Sequence, residues 1–309
     1  MAPAKTSTRL ATTGVVLIAL GTLTLVYLAV HRPVAAVAGP APGATGAVAE
    51  LPDDSFAPTE TATPLMPVYG EVLLDAVSAS VAWRVTNDAG TETGGPGACT
   101  AFRHPSSASM TSDGGATWTG IELPFVRVMQ VRAASADAVG VIGSDGDCSA
   151  GFASTADGGA TWTKGPLPND FWYVDATHFK AVHLGTLTTT PCPTVVRQLS
   201  AQTATRAAVL CDDGSARATT DAGKTWADTG APKGAVALTA TSDTPLLAMR
   251  GGAGCPGLSI VASGGKPRGC VGIGANGTAA LDSTDSHTVW AATPGTSAVS
   301  TDGGVTWSP

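Results

Sequence analysis

The sequence predicts an all-β fold, a single domain of repeated four-stranded antiparallel units, preceded by one apolar helix near the N-terminus. Two observations predict the repeated units. One eight-residue phrase occurs four times between residues 111 and 307, and short runs of alternating apolar residues precede each copy. A third observation, an uncharged stretch over residues 10–30, predicts the helix.

The N-terminal segment predicts a membrane anchor. Residues 1–9 are short and basic, and residues 10–30 give 21 positions without a charge, which is long enough to span a bilayer as a helix. Because Lys5 and Arg9 precede this stretch, we expect a signal anchor with a cytoplasmic N-terminus and the bulk of the chain on the extracytoplasmic side. The alternative is cleavage near Ala38, which would give a secreted protein.

A linker and an acidic folded domain follow the anchor. Residues 31–67 are rich in Pro, Ala, Gly and Thr, a composition typical of a flexible spacer, so the folded domain spans residues 68–309. Lys5, Arg9 and Arg32 contribute +3 to the net charge of −7, which leaves −10 for the remainder of the chain. An acidic domain argues against nucleic acid or an anionic lipid surface as the main partner.

The repeated phrase has the chemistry of a turn that folds on local hydrogen bonds. An Asp side chain can accept hydrogen bonds from backbone amides that follow it, Gly supplies a positive φ, and Thr-Trp restarts a strand. We therefore expect the pattern residues to be structural and not catalytic or metal-binding. They are Thr111, Asp113, Gly115, Thr117 and Trp118, then Thr155, Asp157, Gly159, Thr161 and Trp162, then Thr219, Asp221, Gly223, Thr225 and Trp226, and finally Ser300, Asp302, Gly304, Thr306 and Trp307.

The phrase resembles the Asp-box, or bacterial neuraminidase repeat, of β-propellers, in which the box joins the third and fourth strands of a blade. The resemblance implies a single β-propeller over residues 68–309. Successive box aspartates are 44, 64 and 81 residues apart, and the last interval splits into 42 and 39 if residues 261–266 are a decayed box with Ser263 in the Asp place. At roughly 40 residues per blade we expect about six blades, with five or seven as alternatives.

Two irregularities in the spacing carry further expectations. The 64-residue interval holds one blade and about twenty extra residues, which form either a long insertion or part of a blade without a box. Only Ser308 and Pro309 follow the last box, so the last blade lacks its outermost strand. We predict that residues 65–70 supply that strand and close the ring.

The six cysteines are predicted to form disulfides, because their number is even and the domain is expected to be exported. All six, Cys99, Cys148, Cys192, Cys211, Cys255 and Cys270, fall in connections on the face opposite the boxes. Fifteen pairings are open, and our hypothesis is Cys99–Cys148, Cys192–Cys211 and Cys255–Cys270.

Catalytic, metal and cofactor sites have weak support. Sialidases carry the same boxes and use an arginine cluster and a Tyr nucleophile. Residues 102–105 resemble their Phe/Tyr-Arg-Ile/Leu-Pro motif, but this stretch lies inside a blade and has His at the third position. His178 and His183 need not share a strand face, and Asp145-Gly-Asp147 is typical of a turn. We expect no metal and no cofactor.

The aromatic run Phe171, Trp172 and Tyr173 is the candidate partner-binding patch, since Trp and Tyr are enriched at interface hot spots. The alternative is that alternate members pack between blades. The resemblance is closer to photosystem assembly-factor-like and sortilin-like binding propellers than to catalytic sialidases. It implies a membrane-tethered, extracytoplasmic module that binds a protein or peptide. The alternatives are a sialidase-like exo-glycosidase and a glycan-binding propeller.

Overall fold

A computed structural model describes residues 72–87, 105–145, 149–175, 179–241, 244–252, 254–274 and 278–309. All of them belong to one compact unit, Pro64–Pro309. The predicted anchor, the predicted linker and the predicted closing strand at residues 65–70 lie outside these ranges. Within the ranges, no helix has the length and apolar character needed to cross a bilayer.

Six antiparallel sheets, which we call blades 1 to 6, make up the described structure. Blades 1, 2, 4 and 5 have four strands, and blades 3 and 6 have three. Blade 1 contains β1 (Val72–Ala76), β2 (Ala82–Thr86), β3 (Ser107–Thr111) and β4 (Thr119–Ile121); blade 2 contains β5 (Arg127–Ala133), β6 (Val139–Ser144), β7 (Gly151–Thr155) and β8 (Thr163–Gly165); blade 3 contains β9 (Trp172–Val174), β10 (Val182–Leu184) and β11 (Leu187–Thr189). Blade 4 contains β12 (Val196–Ala201), β13 (Ala207–Cys211), β14 (Ala216–Thr219) and β15 (Ala227–Asp228); blade 5 contains β16 (Ala235–Thr239), β17 (Leu246–Gly252), β18 (Cys255–Ala262) and β19 (Lys266–Val271); blade 6 contains β20 (Ala280–Ser283), β21 (Val289–Ala292) and β22 (Ser297–Ser300).

The blades form a closed ring around a central channel. The first described strands of successive blades contact one another in the order β1, β5, β9, β12, β16 and β20, and β20 returns to β1. The prediction of an all-β propeller with six blades is therefore confirmed, although two blades have three strands among the described residues. The hairpins that carry the boxes all lie at one face, which we call the box face, and the other end of the channel is the opposite face.

Blade 3 explains the 64-residue interval as a blade without a box, which is one of the two expected alternatives. A short turn at Gly185 and Thr186 joins β10 to β11, in the place that a box hairpin would occupy. Trp172 on β9 donates its indole N–H to Thr203 O of blade 4 at 2.9 Å. The second-strand residues Trp83 and Trp290 make the same bond to the next blade, so β9 occupies the place of a second strand.

In consequence, the described part of blade 3 has no strand in the innermost position. The chain goes from β8, the outer strand of blade 2, directly to β9. β9 contacts both β5 and β12, the inner strands on either side of it. The inner strands of blades 2 and 4 therefore flank a gap in the wall of the channel.

Two expectations about the box hairpins are refined by the structure. Residues 261–266 do connect the third and fourth strands of blade 5, as predicted, but the connection is a single 3-10 turn, Ser263–Gly265. Ala262 pairs with Lys266, which makes this turn much shorter than a box. In blade 6, Val299 exchanges two backbone hydrogen bonds of 2.9 Å with Ser308, so the chain's own end begins the fourth strand.

Candidate functional site

The box hairpins use their carboxylates for local hydrogen bonds. In the first box, Asp113 accepts bonds from the Thr111 hydroxyl at 2.8 Å, the Thr117 amide at 2.9 Å and the Thr117 hydroxyl at 2.6 Å. The Thr111 hydroxyl oxygen in turn accepts a bond from the Gly115 amide at 3.0 Å. The other three boxes repeat this set of bonds. This geometry is that of a turn held by its own side chains.

These hydrogen bonds favour the ionised form of each box aspartate. The Thr117 hydroxyl and amide lower the pKa of Asp113 to about 2. The same kinds of bonds lower the pKa of Asp157 and of Asp221 to about 2, and they lower the pKa of Asp302 as well. A carboxylate held in this state is a poor general acid near neutral pH.

The box tryptophans pack at the margins of the core and are half-buried. Trp118 meets Trp290 edge-on, with ring centroids 6.2 Å apart, and Trp226 meets Trp172 in the same way at 6.0 Å. Each pair joins a box to the second-strand Trp of the preceding blade. The tryptophans therefore tie neighbouring blades together on the box face.

The aromatic run of blade 3 is largely inside the molecule. Phe171 is 6% exposed and Trp172 is 2% exposed. Phe171 packs against Phe152 of blade 2, whereas Trp172 packs towards blade 4, so these two consecutive residues face different neighbours. This burial corrects the expectation that all three rings form a patch for a partner. Tyr173 alone stays partly accessible, stacked on His183 with ring centroids 4.8 Å apart.

Two of the three hypothesised disulfides are present. Cys192–Cys211 ties the loop before β12 to the end of β13, and both residues are buried; we call it the inner disulfide. Cys255–Cys270 joins the start of β18 to β19 and is more exposed; we call it the outer disulfide. Both lie towards the opposite face, as expected from their positions in the chain. Cys99 and Cys148 lie outside the described residues.

The weaker site candidates find no supporting geometry in the described ranges. His183 faces Asp175, with Nε2 and Oδ2 3.8 Å apart, while His178 is outside those ranges. Asp145 forms an exposed ion pair with Lys164 at 2.7 Å. No group of three His, Cys, Asp or Glu side chains in the described parts of the chain is placed to hold a metal ion. The sialidase-like motif also lies outside these parts, except for its final Pro105.

A small pocket opens at the innermost position of blade 3, where the described residues form no strand. It has a volume of about 40 Å³ and lies at the channel mouth on the opposite face. Its walls come from blades 1 to 4 and are mainly apolar. The apolar lining consists of Leu73, Val128, Met129, Val174, Phe179, Val196 and Leu199. We call this pocket the notch.

Polar groups border the notch. Arg197 forms an ion pair with Asp212 at 3.1 Å, and its side chain is about one-third exposed. The guanidinium of Arg127 lies 5.0 Å from the ring centre of Phe179. Gln130 and Gln198 lie deeper, where the notch continues into the channel. The site therefore combines an apolar pocket with hydrogen-bond donors at its edge.

Further inside the channel lie two carboxyl groups that sequence reasoning missed. Asp75 on β1 and Asp282 on β20 border the same small cavity, of about 20 Å³, with Gln130, Gln198 and Ser200. The only signal in the sequence is that each Asp follows Leu on the first strand of its blade and stands one residue before the strand's end.

Comparison with protein families identifies the repeat. The family model described as BNR/Asp-box repeat matches residues 298–309, which contain the last box. The six-bladed ring shows the fold independently of this match. The chain is a β-propeller that carries Asp-box repeats. A search of curated proteins finds no match to it.

Several solved structures resemble this Asp-box β-propeller at low identity. "YCF48 bound to D1 peptide" is 17% identical over 78% of this chain and 81% of that chain, with a TM-score of 0.28. A lectin of Aleuria aurantia in complex with Fucα1-6GlcNAc is 13% identical over 77% and 98%, with a TM-score of 0.42. The GH74 enzyme of Niastella koreensis is 12% identical over 78% and 47%, with a TM-score of 0.40. At these values the matches carry no argument about a ligand.

Proposed function

We propose that this propeller is a binding module that receives a protein or peptide segment at the notch. The observation that carries the proposal is an apolar pocket at one mouth of the channel, at the innermost position of blade 3, where the described residues form no strand. Apolar pockets with a few convergent polar groups are the usual form of a binding site. The four boxes, by contrast, use their polar groups internally.

The size of the notch suits one anchoring side chain. A volume of about 40 Å³ exceeds the roughly 10–15 Å³ that one water needs, but it is far too small for a sugar ring or a folded partner to enter. A peptide would therefore place a single apolar side chain in the notch and lie across the opposite face. Arg197 and Gln198 are placed to hydrogen-bond the backbone carbonyls or a carboxylate of such a segment.

We further propose that the module is tethered to the membrane on the extracytoplasmic side. The support is the uncharged stretch of residues 10–30, the basic residues before it and the linker after it. Two disulfides suit an oxidising compartment. Cleavage near Ala38 would instead release the propeller, and detection of the mature N-terminus by mass spectrometry distinguishes the two outcomes.

Site-specific photo-crosslinking in cells tests the binding proposal. A photoreactive residue at position 197 borders the notch, and one at position 224 replaces exposed Lys224 in the third box as a control. We expect a discrete adduct from position 197 that is lost when Val174→Phe fills the notch. The matched Val305→Phe change, on the box face, should leave the adduct unchanged because Val305 is exposed and distant from the notch.

The opposite pattern would overturn the proposal: an adduct from position 224 alone, or an adduct from 197 that Val174→Phe leaves intact in a folded protein. Thermal unfolding of both Phe variants checks that they fold. Turnover of fluorogenic sialosides by the full chain, abolished by Arg103→Ala, would favour the exo-glycosidase alternative. Binding to a glycan array without turnover would favour the glycan-binding alternative.

A further inference from the structure

Side chains of inner strands bind the backbone of the next blade at several places around the channel. Asp282 of blade 6 accepts a bond from the Ala76 amide of blade 1 at 2.7 Å. Asp75 of blade 1 accepts one from the Ala133 amide of blade 2 at 3.1 Å. At the corresponding position of blade 4, Ser200 accepts a bond from the Ala240 amide of blade 5 at 2.9 Å, and Gln198 accepts another from the Leu238 amide at 2.8 Å. These bonds link blades that share no strand ladder.

The contact between blades 6 and 1 differs from the others because it closes the ring. We call it the seam. It joins the first and last inner strands, β1 and β20, and it contains the indole N–H bond of Trp290 to Ser78 O at 2.9 Å. In the described residues, no strand is exchanged across it. Side chains contribute to the seam: the Asp282 carboxyl bonds across it, and the Asp75 carboxyl borders the same cavity.

The two carboxyl groups of the seam share a poorly hydrated environment. Both residues are partly buried and border the same cavity. Loss of water raises the pKa of Asp282 to about 7, although the Ala76 amide bond opposes the shift. Burial and the nearby Asp282 carboxylate raise the pKa of Asp75 well above its ordinary value. A carboxyl group with such a pKa is held in its neutral form under mildly acidic conditions.

Few charges face the pair to offset a negative charge. Arg132 on β5 is the cation that lowers the pKa of Asp75, and it is exposed. Of the other cations on adjacent strands, Arg84 on β2 lies over Trp118, and Arg127 on β5 lies over Phe179. β16 and β21 carry no ionisable side chain. Ionisation of both carboxyl groups would thus place two negative charges beside one cavity with few nearby cations to offset them.

We propose that the seam is a pH-dependent latch, closed while the Asp75–Asp282 pair retains a proton and loosened when both carboxyl groups are ionised. In the closed state, a protonated carboxyl still accepts the amide bond through its carbonyl oxygen. When the last proton leaves, the two carboxylates repel each other across the cavity. Opening of the seam lets water reach them, which relieves the repulsion.

The direction of the pH effect follows from the raised pKa. The open seam binds and releases protons near the ordinary carboxyl value, whereas the closed seam holds its proton up to about pH 7. The closed state is therefore favoured at low pH. Its free-energy advantage over the open state is lost as the pH rises from about 4 to 7. Each unit of pKa difference changes the opening equilibrium roughly tenfold, so we expect a change of about one to three decades.

Hydrogen–deuterium exchange of the full chain in detergent tests the latch. We expect protection of β1 and β20 to fall about 10- to 1000-fold, relative to β13, when the pH is raised from 5 to 8, after correction for intrinsic exchange. Asp282→Asn removes one ionisation and the like-charge repulsion but keeps an amide acceptor, so the pH dependence of protection should become smaller, and the partly buried Asp75 accounts for what remains. Asp213→Asn, in an exposed turn, is the matched control and should behave as the wild type.

An unchanged pH dependence in Asp282→Asn, or wild-type protection that does not vary with pH, would refute the latch. If Asp282→Asn does not fold, Asp75→Asn provides the second variant. It removes the repulsion but leaves Asp282 able to ionise, so the transition should become smaller. A transition of full size in Asp75→Asn would also refute the proposal.

Discussion

Replacement of Trp172 by Ala gives the sharpest test of how blade 3 is built. The indole is 2% exposed, lies against Trp226 and donates a 2.9 Å bond to Thr203 O of blade 4. The substitution would leave a cavity between blades 3 and 4 and an acceptor without its donor. We therefore expect a loss of folding stability and not a selective loss of binding.

The expected magnitude comes from the buried volume. Truncation of a buried Trp to Ala costs about 3–5 kcal/mol, which includes the residual cavity. For a domain of this size each kcal/mol corresponds to roughly 2–4 °C, so the unfolding midpoint should fall by about 6–20 °C. Trp172→Phe keeps most of the apolar area and loses mainly the hydrogen bond, for a cost of about 1–3 kcal/mol.

The neighbouring Tyr173→Ala is the matched control. Tyr173 is partly accessible, and its truncation removes the stacking on His183, worth about 0.5–1.5 kcal/mol, and some packing against Met129 and Phe171, so the cost should stay below that of Trp172→Ala. Differential scanning fluorimetry and urea unfolding of the three variants measure the order of stabilities. If Trp172→Ala unfolds within 2 °C of Tyr173→Ala, Trp172 does not support the blade as described, and its role as a partner contact would regain support.

Box carboxylates, box glycines and disulfides each give one further expected outcome. Asp113→Asn should unfold at a lower temperature than the wild type at pH 7. The difference between the two unfolding temperatures should shrink as the pH falls towards the pKa of Asp113, about 2, because the wild-type carboxylate is protonated below it. Gly159→Ala should lower the free energy of unfolding by about 1–3 kcal/mol, because φ is +89° and the new Cβ would lie 2.4 Å from Ile121 Cγ2. Gly120→Ala, whose new Cβ would enter open space, should leave the unfolding temperature unchanged. Mild reduction followed by alkylation and mass spectrometry should open the outer disulfide before the inner one, and the reverse order would contradict their difference in burial.

Much of the architecture could be predicted from the sequence because the box is a local structure. The hydrogen bonds that its Thr and Asp side chains make run between residues at most four positions apart, so the pattern Thr111–Trp118 specifies most of its own turn. One backbone bond, from the Gly114 amide to Ser80 O, ties the turn to the rest of the blade. Its spacing then indicates where strands begin, and β5 and β6 occur within the two alternating runs that precede the second box. The proposed pairing of Cys192 with Cys211 followed from the same spacing and is confirmed.

The notch and the seam could not be predicted because they depend on contacts between blades. Nothing in the run from Phe171 to Tyr173 indicates that β9 takes a second-strand place, since that depends on Thr203 of the next blade. Asp75 and Asp282 are 207 positions apart in the chain and meet only when the ring closes. Local sequence patterns predict turns and strand ends. Contacts between residues of different blades can be seen only in the assembled ring.

The irregular blade 3 relates the proposed binding site to the architecture of the ring. A regular six-bladed ring would line its channel with six inner strands, and their side chains would fill it. In this propeller, Trp172 preserves the contact with blade 4 although the described residues place no inner strand in blade 3, so the blades still form a closed ring. The neighbouring strands β5 and β12 fill most of the gap, and what is left is the notch, with Leu73 on its blade 1 side. Because Leu73 and Asp75 belong to the same short strand, loosening of the seam would displace one wall of the notch. The latch and the binding site are therefore expected to be coupled through β1, so that ligand affinity and seam protection should change over the same pH range.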